Sequence, residues 1–343
     1  MPEYRSEIPA KASPRLLDRL RGAMLMRRYS PRTSDAYVFW ARKFILFHDK
    51  RHPDVMGEAE VKAFLAYLAV TRKVAPSTQN QALAALLFLY RQVLNRELTT
   101  LVDLVRAKRP TRVPAVLSKE EIARIFHHLQ GAPLLAAILM YGSGLRLLEC
   151  LKLRISDLDF DRGEILVREG KGNKDRRTLL PERTIALLKP HLAQLREQHE
   201  WNRASGTASV FLPEAIERKQ PEAATEWSWQ WLFPATRCHT PPAGPRRRHH
   251  LHETVVQRAF TRAVLRAGVN KHATCHTLRH SFATHLLEAS YDIRTIQELM
   301  GHRDVGTTMI YTHVLNKGAR GVQSPLDAVI KDLLREPSQP FPN

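Results

Sequence analysis

At 343 residues the chain has room for about two domains, and its 43% apolar residues are enough for real cores, which excludes a wholly disordered chain. Lysine and arginine total 53 against 34 acids, a formal charge of +19; a surplus of this size favours a polyanionic partner, DNA or RNA first, over a merely solvated basic surface. The three scattered cysteines, Cys150, Cys238 and Cys275, exclude a disulfide framework and a finger-type zinc site and suit a reducing, cytoplasmic setting, while the longest apolar runs, 134–141 and 82–90, are too short for a bilayer, so no membrane partner is expected.

Met1 to about Ser13 reads as a flexible lead, and its prolines and charges carry no secretory pattern. Ser30-Pro31 offers an N-cap and a first-turn proline for a helix through Lys50, with Tyr37, Trp40, Phe44 and Phe47 at helical spacing. Further helices are expected over Glu58 to Val70 and from Ser77 through Leu94. The aromatic stripe reads as core before base-stacking platform, so residues 1–108 make a small helical domain with a basic outer face. A basic linker follows at 109–117, overlapping the run Arg106-Ala107-Lys108-Arg109-Pro110-Thr111-Arg112-Val113-Pro114, which buries little and suits a hinge or a strap along a phosphate backbone.

The second domain, 118–343, opens on Ser118-Lys119-Glu120-Glu121, a capping-box pattern. An apolar helix over Pro133 to Tyr141 runs into Gly142-Ser143-Gly144-Leu145-Arg146. A cation directly after a buried helix and a glycine turn is placed to reach inward, with Glu149 on the next helix face as an orienting partner. Ile155 to Phe160, Glu164 to Arg168 and Arg177 to Leu180 have strand character, and the turn Gly170 to Asp175 carries Lys171 and Lys174; taken alone, Lys171 is an exposed turn lysine. The mixed domain is therefore mainly α with a small β-sheet, an α+β fold.

An added segment at about 191–245 contains Trp227, Trp229 and Trp231 and ends in prolines. Arg246-Arg247-Arg248-His249-His250-Leu251-His252 comes next; the triple arginine reads as phosphate contact or solvated charge, and without acidic or cysteine ligands at suitable spacing no metal is expected. His276-Thr277-Leu278-Arg279-His280 places His276 and Arg279 on one helical face. Asp292 fits the N-cap of a short helix ending at Gly301, which leaves His302 just past it, and Tyr311 falls on another short helix. Fixed cation, imidazoles and a phenol suit chemistry on a phosphate, with the tyrosine as covalent nucleophile.

The series Arg146, Lys171, His276-x-x-Arg279, Gly301-His302 and Tyr311, in this order, resembles the catalytic signature of tyrosine recombinases, and the resemblance covers both domains. It implies a core-DNA-binding first domain and a metal- and cofactor-independent enzyme that cleaves and rejoins DNA through a 3′-phosphotyrosyl bond. Arg146 and Arg279 would clamp the phosphate, His302 donate to it, Lys171 protonate the leaving oxygen and His276 move the Tyr311 proton. The added segment, the basic-histidine run and the tail Val314 to Asp327 are similar to the integron integrase subgroup. That implies recombination between duplex attI and folded single-stranded attC sites, with Trp227, Trp229, His249 and His250 set against extruded bases and Lys174, Arg246, Arg247, Arg248 and His252 on DNA. Packing of the tryptophans within the added segment stays open as the alternative. The family's ring of subunits implies a homotetramer at synapsis from a monomer in solution, joined by an exchange helix at about 325–335 where Leu326, Val329, Ile330 and Leu333 recur, unless that helix folds back on its own domain. A Xer-like or phage-type recombinase on duplex sites, a type IB-like topoisomerase, and a regulator that merely reads a groove remain the competing classes.

Overall fold

The computed structural model describes residues 15–98, 114–168, 175–240, 246–302, 304–309 and 311. Two compact units divide the chain, Met1–Arg112 and Val113–Asn343. The expected lead, most of the linker, Lys171, Lys174 and the expected exchange helix lie outside the described residues.

Among the described residues, the first unit is built of the helices α1 (Leu16–Met26), α2 (Pro31–Phe47), α3 (Glu58–Val70) and α4 (Pro76–Val93). Ser30 caps α2 by accepting from the Thr33 N–H at 3.2 Å, with Pro31 in the first turn, where its missing N–H costs nothing. Half of the aromatic stripe goes inward: Phe44 is fully buried and Trp40 nearly so, against Phe64, Leu86 and Tyr90, whereas Tyr37 is half-buried and Phe47 exposed. The Trp40 indole N–H still finds the Gln81 side-chain oxygen at 3.2 Å, and the Tyr90 hydroxyl donates to the Pro53 carbonyl, so neither polar tip is orphaned. Helix α1 has no counterpart among the expected elements; Leu20 and Met24 bury it against Val38, Ala41, Leu89 and Val93.

The second unit is organised around α6 (Gly131–Gly142), an almost wholly apolar helix packed by α5 (Lys119–His127), α7 (Leu147–Leu151), α8 (Glu182–Ala204), α10 (Glu253–Arg266) and α11 (Cys275–Glu288). Helix α5 begins with the expected capping box: Glu121 accepts from the Ser118 N–H at 2.7 Å while the Ser118 hydroxyl accepts from the Glu121 N–H. Three short antiparallel strands, β1 (Leu158–Asp159), β2 (Glu164–Val167) and β3 (Arg176–Leu179), lie in the order β1-β2-β3 with Val167 opposite Arg176. Residues Ile155–Asp157 form a 3₁₀ turn where a strand was expected, because Asp157 reaches back to the Arg154 N–H and winds the chain before β1 begins.

The expected start of the added segment, 191, falls inside α8, which runs unbroken from Glu182 to Ala204 through Pro190. Beyond it come α9 (Glu214–Lys219), 3₁₀ turns at Pro221–Thr225 and Trp227–Trp229, and the hairpin β4 (Pro234–His239) and β5 (Arg247–His250). Towards the C-terminal end α12 (Ile293–Met300) packs on β3, and the short α13 (Gly306–Met309) follows it. No helix among the described residues is long and apolar enough to cross a membrane.

Candidate active site

The turn after α6 sets the first side chains of the site. Gly144 takes a positive φ of 63°, and a Cβ there would meet the Phe282 ring at 2.5 Å, so the chain passes closer to α11 than any side chain allows. Arg146 then caps α7 with extended backbone, and Glu149, at the third helical position, accepts from the Arg146 N–H at 2.9 Å and from its guanidinium at 2.6 Å. The expected pairing of Arg146 with Glu149 is present, but that carboxylate does more. Arg176 on β3 grips it with both terminal nitrogens, at 2.7 and 3.1 Å, and Arg279 on α11 approaches to 3.7 Å.

One carboxylate thus gathers three guanidinium groups. Burial works against the charged form of Glu149, yet the hydrogen bond and charge of Arg176, then of Arg146, prevail and hold its carboxyl down to about 2. Arg279 is 1% exposed, and its terminal nitrogens donate to the carbonyls of Gly144 and Met300. Burial first, then the neighbouring Arg146, pushes it down to about 9, still a cation at neutral pH.

The expected N-cap at Asp292 is in place: its carboxylate accepts from the N–H groups of Arg294 and Thr295, both at 2.9 Å. Helix α12 stops at Gly301 in the left-handed region (φ 61°), where a Cβ would strike the Arg176 side chain at 2.6 Å. His302 follows, its Nδ1 2.9 Å from the Thr308 hydroxyl, and its ring lies parallel to that of Tyr311 with centroids 6.4 Å apart. Tyr311 sits in a turn two residues past α13 rather than on it, 2% exposed, with its hydroxyl 2.8 Å from His280 Nδ1. His276 packs edge-on to His280 at 4.8 Å.

Every imidazole here is held in the neutral form. His302 is pushed down to about 3 by burial and then by Arg279, Arg146 and Arg176. His280 goes down to about 4 through burial, His276 and Arg279, and His276 is lowered by partial burial and by Arg279 and Arg146. Burial raises the Tyr311 phenol, against the pull of Arg279 and Arg146. The structure therefore brings together Arg146, His276, Arg279, His302 and Tyr311.

A second group lies around a cavity of about 620 Å³ that touches Arg146 and Glu149 on one wall. Trp229, Trp231, Phe211, His249 and His250 line it with Lys152, Arg154 and Arg168. The Trp231 ring carries the Arg154 guanidinium on its face at 3.0 Å, stacks on His249 at 6.0 Å and meets His250 edge-on at 5.4 Å. Trp227 does not join this wall: it packs against His199 and Arg196 of α8. Of the basic run, Arg246 is exposed, Arg247 pairs with Glu217 at 2.5 Å, Arg248 donates to the Ala235 carbonyl at 2.9 Å, and His252 caps α10.

Against known proteins, the phage integrase family model matches residues 115–317 and the phage integrase N-terminal SAM-like domain matches residues 16–100. An integrase/recombinase of Escherichia coli is 51% identical over 324 residues, covering 94% of this chain and 96% of that one. The chain belongs to the phage integrase family. It is a tyrosine recombinase, an enzyme of DNA cleavage and rejoining. The tyrosine recombinase XerA of Thermococcus kodakarensis is 30% identical over 88% of this chain and 92% of its own. The solved structure of XerH site-specific recombinase bound to palindromic difH substrate has the same fold, with a TM-score of 0.59, 21% identity, and 89% and 83% of the two chains covered.

Sequence reasoning missed two side chains of this recombinase's site and, of its cavity, Trp231, Phe211, Lys152, Arg154 and Arg168. Arg176 stands on a strand, and no local pattern says that it reaches a carboxylate on α7. His280 had a usable signal, since it lies one helical turn from His276 and so shares its face. Trp231 had none beyond its place in a tryptophan run, yet it is the buried centre of the cavity wall.

Proposed function

We propose that this recombinase cuts one DNA strand by attack of the Tyr311 phenol on phosphorus, leaving a 3′-phosphotyrosyl link and a free 5′-hydroxyl. Attack builds a second negative charge on the phosphate, and preformed cations stabilise it best because they need no rearrangement as it appears. Arg146 and Arg279 are the cations, His302 donates a hydrogen bond, Lys171 protonates the departing oxygen, and His276 belongs to the machinery that moves the Tyr311 proton. Since the covalent link keeps the energy of the broken ester, a second strand's 5′-hydroxyl reverses the step without ATP or metal.

The observation that carries this reading is the placing of Tyr311: buried, parallel to His302, and subject to the charges of Arg279 and Arg146. Incubation with a nicked suicide duplex tests it. A covalent protein–DNA complex from the native chain and none from Tyr311→Phe is the expected result; an adduct that survives Tyr311→Phe contradicts it.

We propose further that the helical first unit is a core-DNA-binding domain, that 109–117 links it to a catalytic domain over 118–343, and that synapsis uses a homotetramer of chains that are monomers when free, joined through 325–335. For substrate, we favour an integron-type exchange between a duplex attI-like site and a folded single-stranded attC-like site. Its support is the aromatic cavity beside Arg146, where neutral His249 and His250 and the faces of Trp229 and Trp231 offer the flat surfaces that bases stack on. Likeness to tyrosine recombinases named XerA and XerC favours a second reading, action on duplex sites alone. A bulged hairpin strand cleaved faster than its fully paired duplex supports the first; the reverse order supports the second.

A further inference from the structure

The notable polar contact outside the arginine cluster is the one on the phenol itself. His280 Nδ1 stands 2.8 Å from the Tyr311 hydroxyl, while His276, one helical turn earlier, touches His280. We propose that His280 is a catalytic residue of this enzyme: it takes the Tyr311 proton as the phenol attacks phosphorus, and His276 positions it. The proposal rests on Tyr311 being the nucleophile.

In the step, the Tyr311 O–H proton passes to His280 Nδ1 and the freed oxygen pair forms the bond to phosphorus. The bond from phosphorus to O5′ breaks, and O5′ leaves as a hydroxyl with a proton from the general acid. Religation runs the same transfers backwards, so His280 returns its proton to the phenol.

Two features suit His280 to this work. Its ring is neutral at physiological pH, so with the ring proton on Nε2 the Nδ1 lone pair is available to accept, while burial of Tyr311 keeps the phenol protonated and in need of an acceptor. The groups that face it are cationic or titratable: His276 and Arg279 from its own helix, and His302 and Tyr311 from the C-terminal turns. An incoming phosphate diester offsets the positive charge of Arg279, which strengthens His280 as a base when substrate is bound.

The test is single-turnover cleavage of a nicked suicide duplex from pH 6 to pH 10 with the native chain, His280→Asn and His276→Asn, each checked for DNA binding by gel retardation. An asparagine oxygen still accepts from the phenol but takes no proton. Cleavage by His280→Asn should fall about 10²-fold at pH 7 and recover as pH rises, and 3-fluorotyrosine at position 311, a more acidic phenol, should restore most of the rate. His276→Asn should slow cleavage at every pH alike.

Should Asn at 280 prevent folding, His280→Gln carries the same expectation, and fluorotyrosine in the native chain should flatten the pH profile. An unchanged rate in the His280 variants, or a loss equal at every pH and untouched by fluorotyrosine, overturns the proposal while Tyr311 stands as nucleophile. No adduct from the native chain overturns both.

Discussion

Two successive turns in the catalytic unit carry the same device and put it to opposite use. In each, an arginine precedes a short helical turn and an acid three residues on accepts from that arginine's N–H: Glu149 from Arg146 at 2.9 Å, Asp157 from Arg154 at 2.7 Å. They part at the guanidinium. Arg146 turns back onto its own carboxylate, whereas Arg154 spends its nitrogens on the carbonyls of Trp229 and Phe211 and lays its face on Trp231.

The charges follow. At Glu149, Arg176 and Arg146 overcome burial and keep the carboxyl ionised down to about 2; at Asp157 burial outweighs Arg154 and Arg168 and raises the carboxyl. The first turn concentrates positive charge around one carboxylate, and the second ties the added segment to the body of the domain. Local sequence alone did not separate them; the partner placed opposite by the rest of the fold did.

The comparison breaks most visibly at Glu149. Glu149→Gln leaves Arg146, Arg176 and Arg279 without their counter-charge, so chemical denaturation should show a loss of about 3–5 kcal/mol, with adduct formation down about 100-fold or more. Native-like stability and cleavage would end the claim that this carboxylate holds the arginines. Arg154→Lys comes next in size: lysine cannot bridge two carbonyls and cover Trp231, and a stability loss of about 2 kcal/mol is expected, with duplex cleavage kept within about threefold because no reacting atom is touched.

Acid tests the imidazoles of the first site. His280 and His302 bind protons in the unfolded chain below about pH 6.5 but in the folded chain only towards about 4 and about 3, so stability is full above 6.5 and falls as pH drops through that window. Two such rings would cost about 4 kcal/mol between pH 7.5 and pH 5, and solvent at these half-buried rings screens that to about 2 kcal/mol in the unfolding free energy; a flat profile would show that the rings are not buried as described. Asp157→Asn is the smallest change. Because its carboxyl is already drawn towards the neutral form, a loss of only about 1 kcal/mol is expected, and a cost matching that of Glu149→Gln would erase the contrast between the two turns.

Much of the site was legible because its signals are local. The Asp292 cap, the left-handed Gly301 and the Arg146–Glu149 pairing all act within one helical turn, and each appears in the structure. What escaped depends on distant partners. Arg176 looks like an ordinary strand arginine until β3 is laid against α7. Trp227 and Trp229 look alike in the text, yet α8 claims the first and the cavity the second. One local signal was missed as well: the residues from Ile155 read as a strand by composition, but Asp157 accepts from the Arg154 N–H three residues back and winds the chain. Among the calls on the basic run, Arg247, Arg248 and His252 already hold protein partners, a fact no charge count discloses.

The chemistry of the catalytic unit turns above all on which oxygen takes the DNA. Mass spectrometry of the trapped complex, after nuclease and protease digestion, measures that directly. A peptide bearing a 3′-phosphonucleotide on Tyr311 is the predicted result; the same modification on any other residue would contradict it.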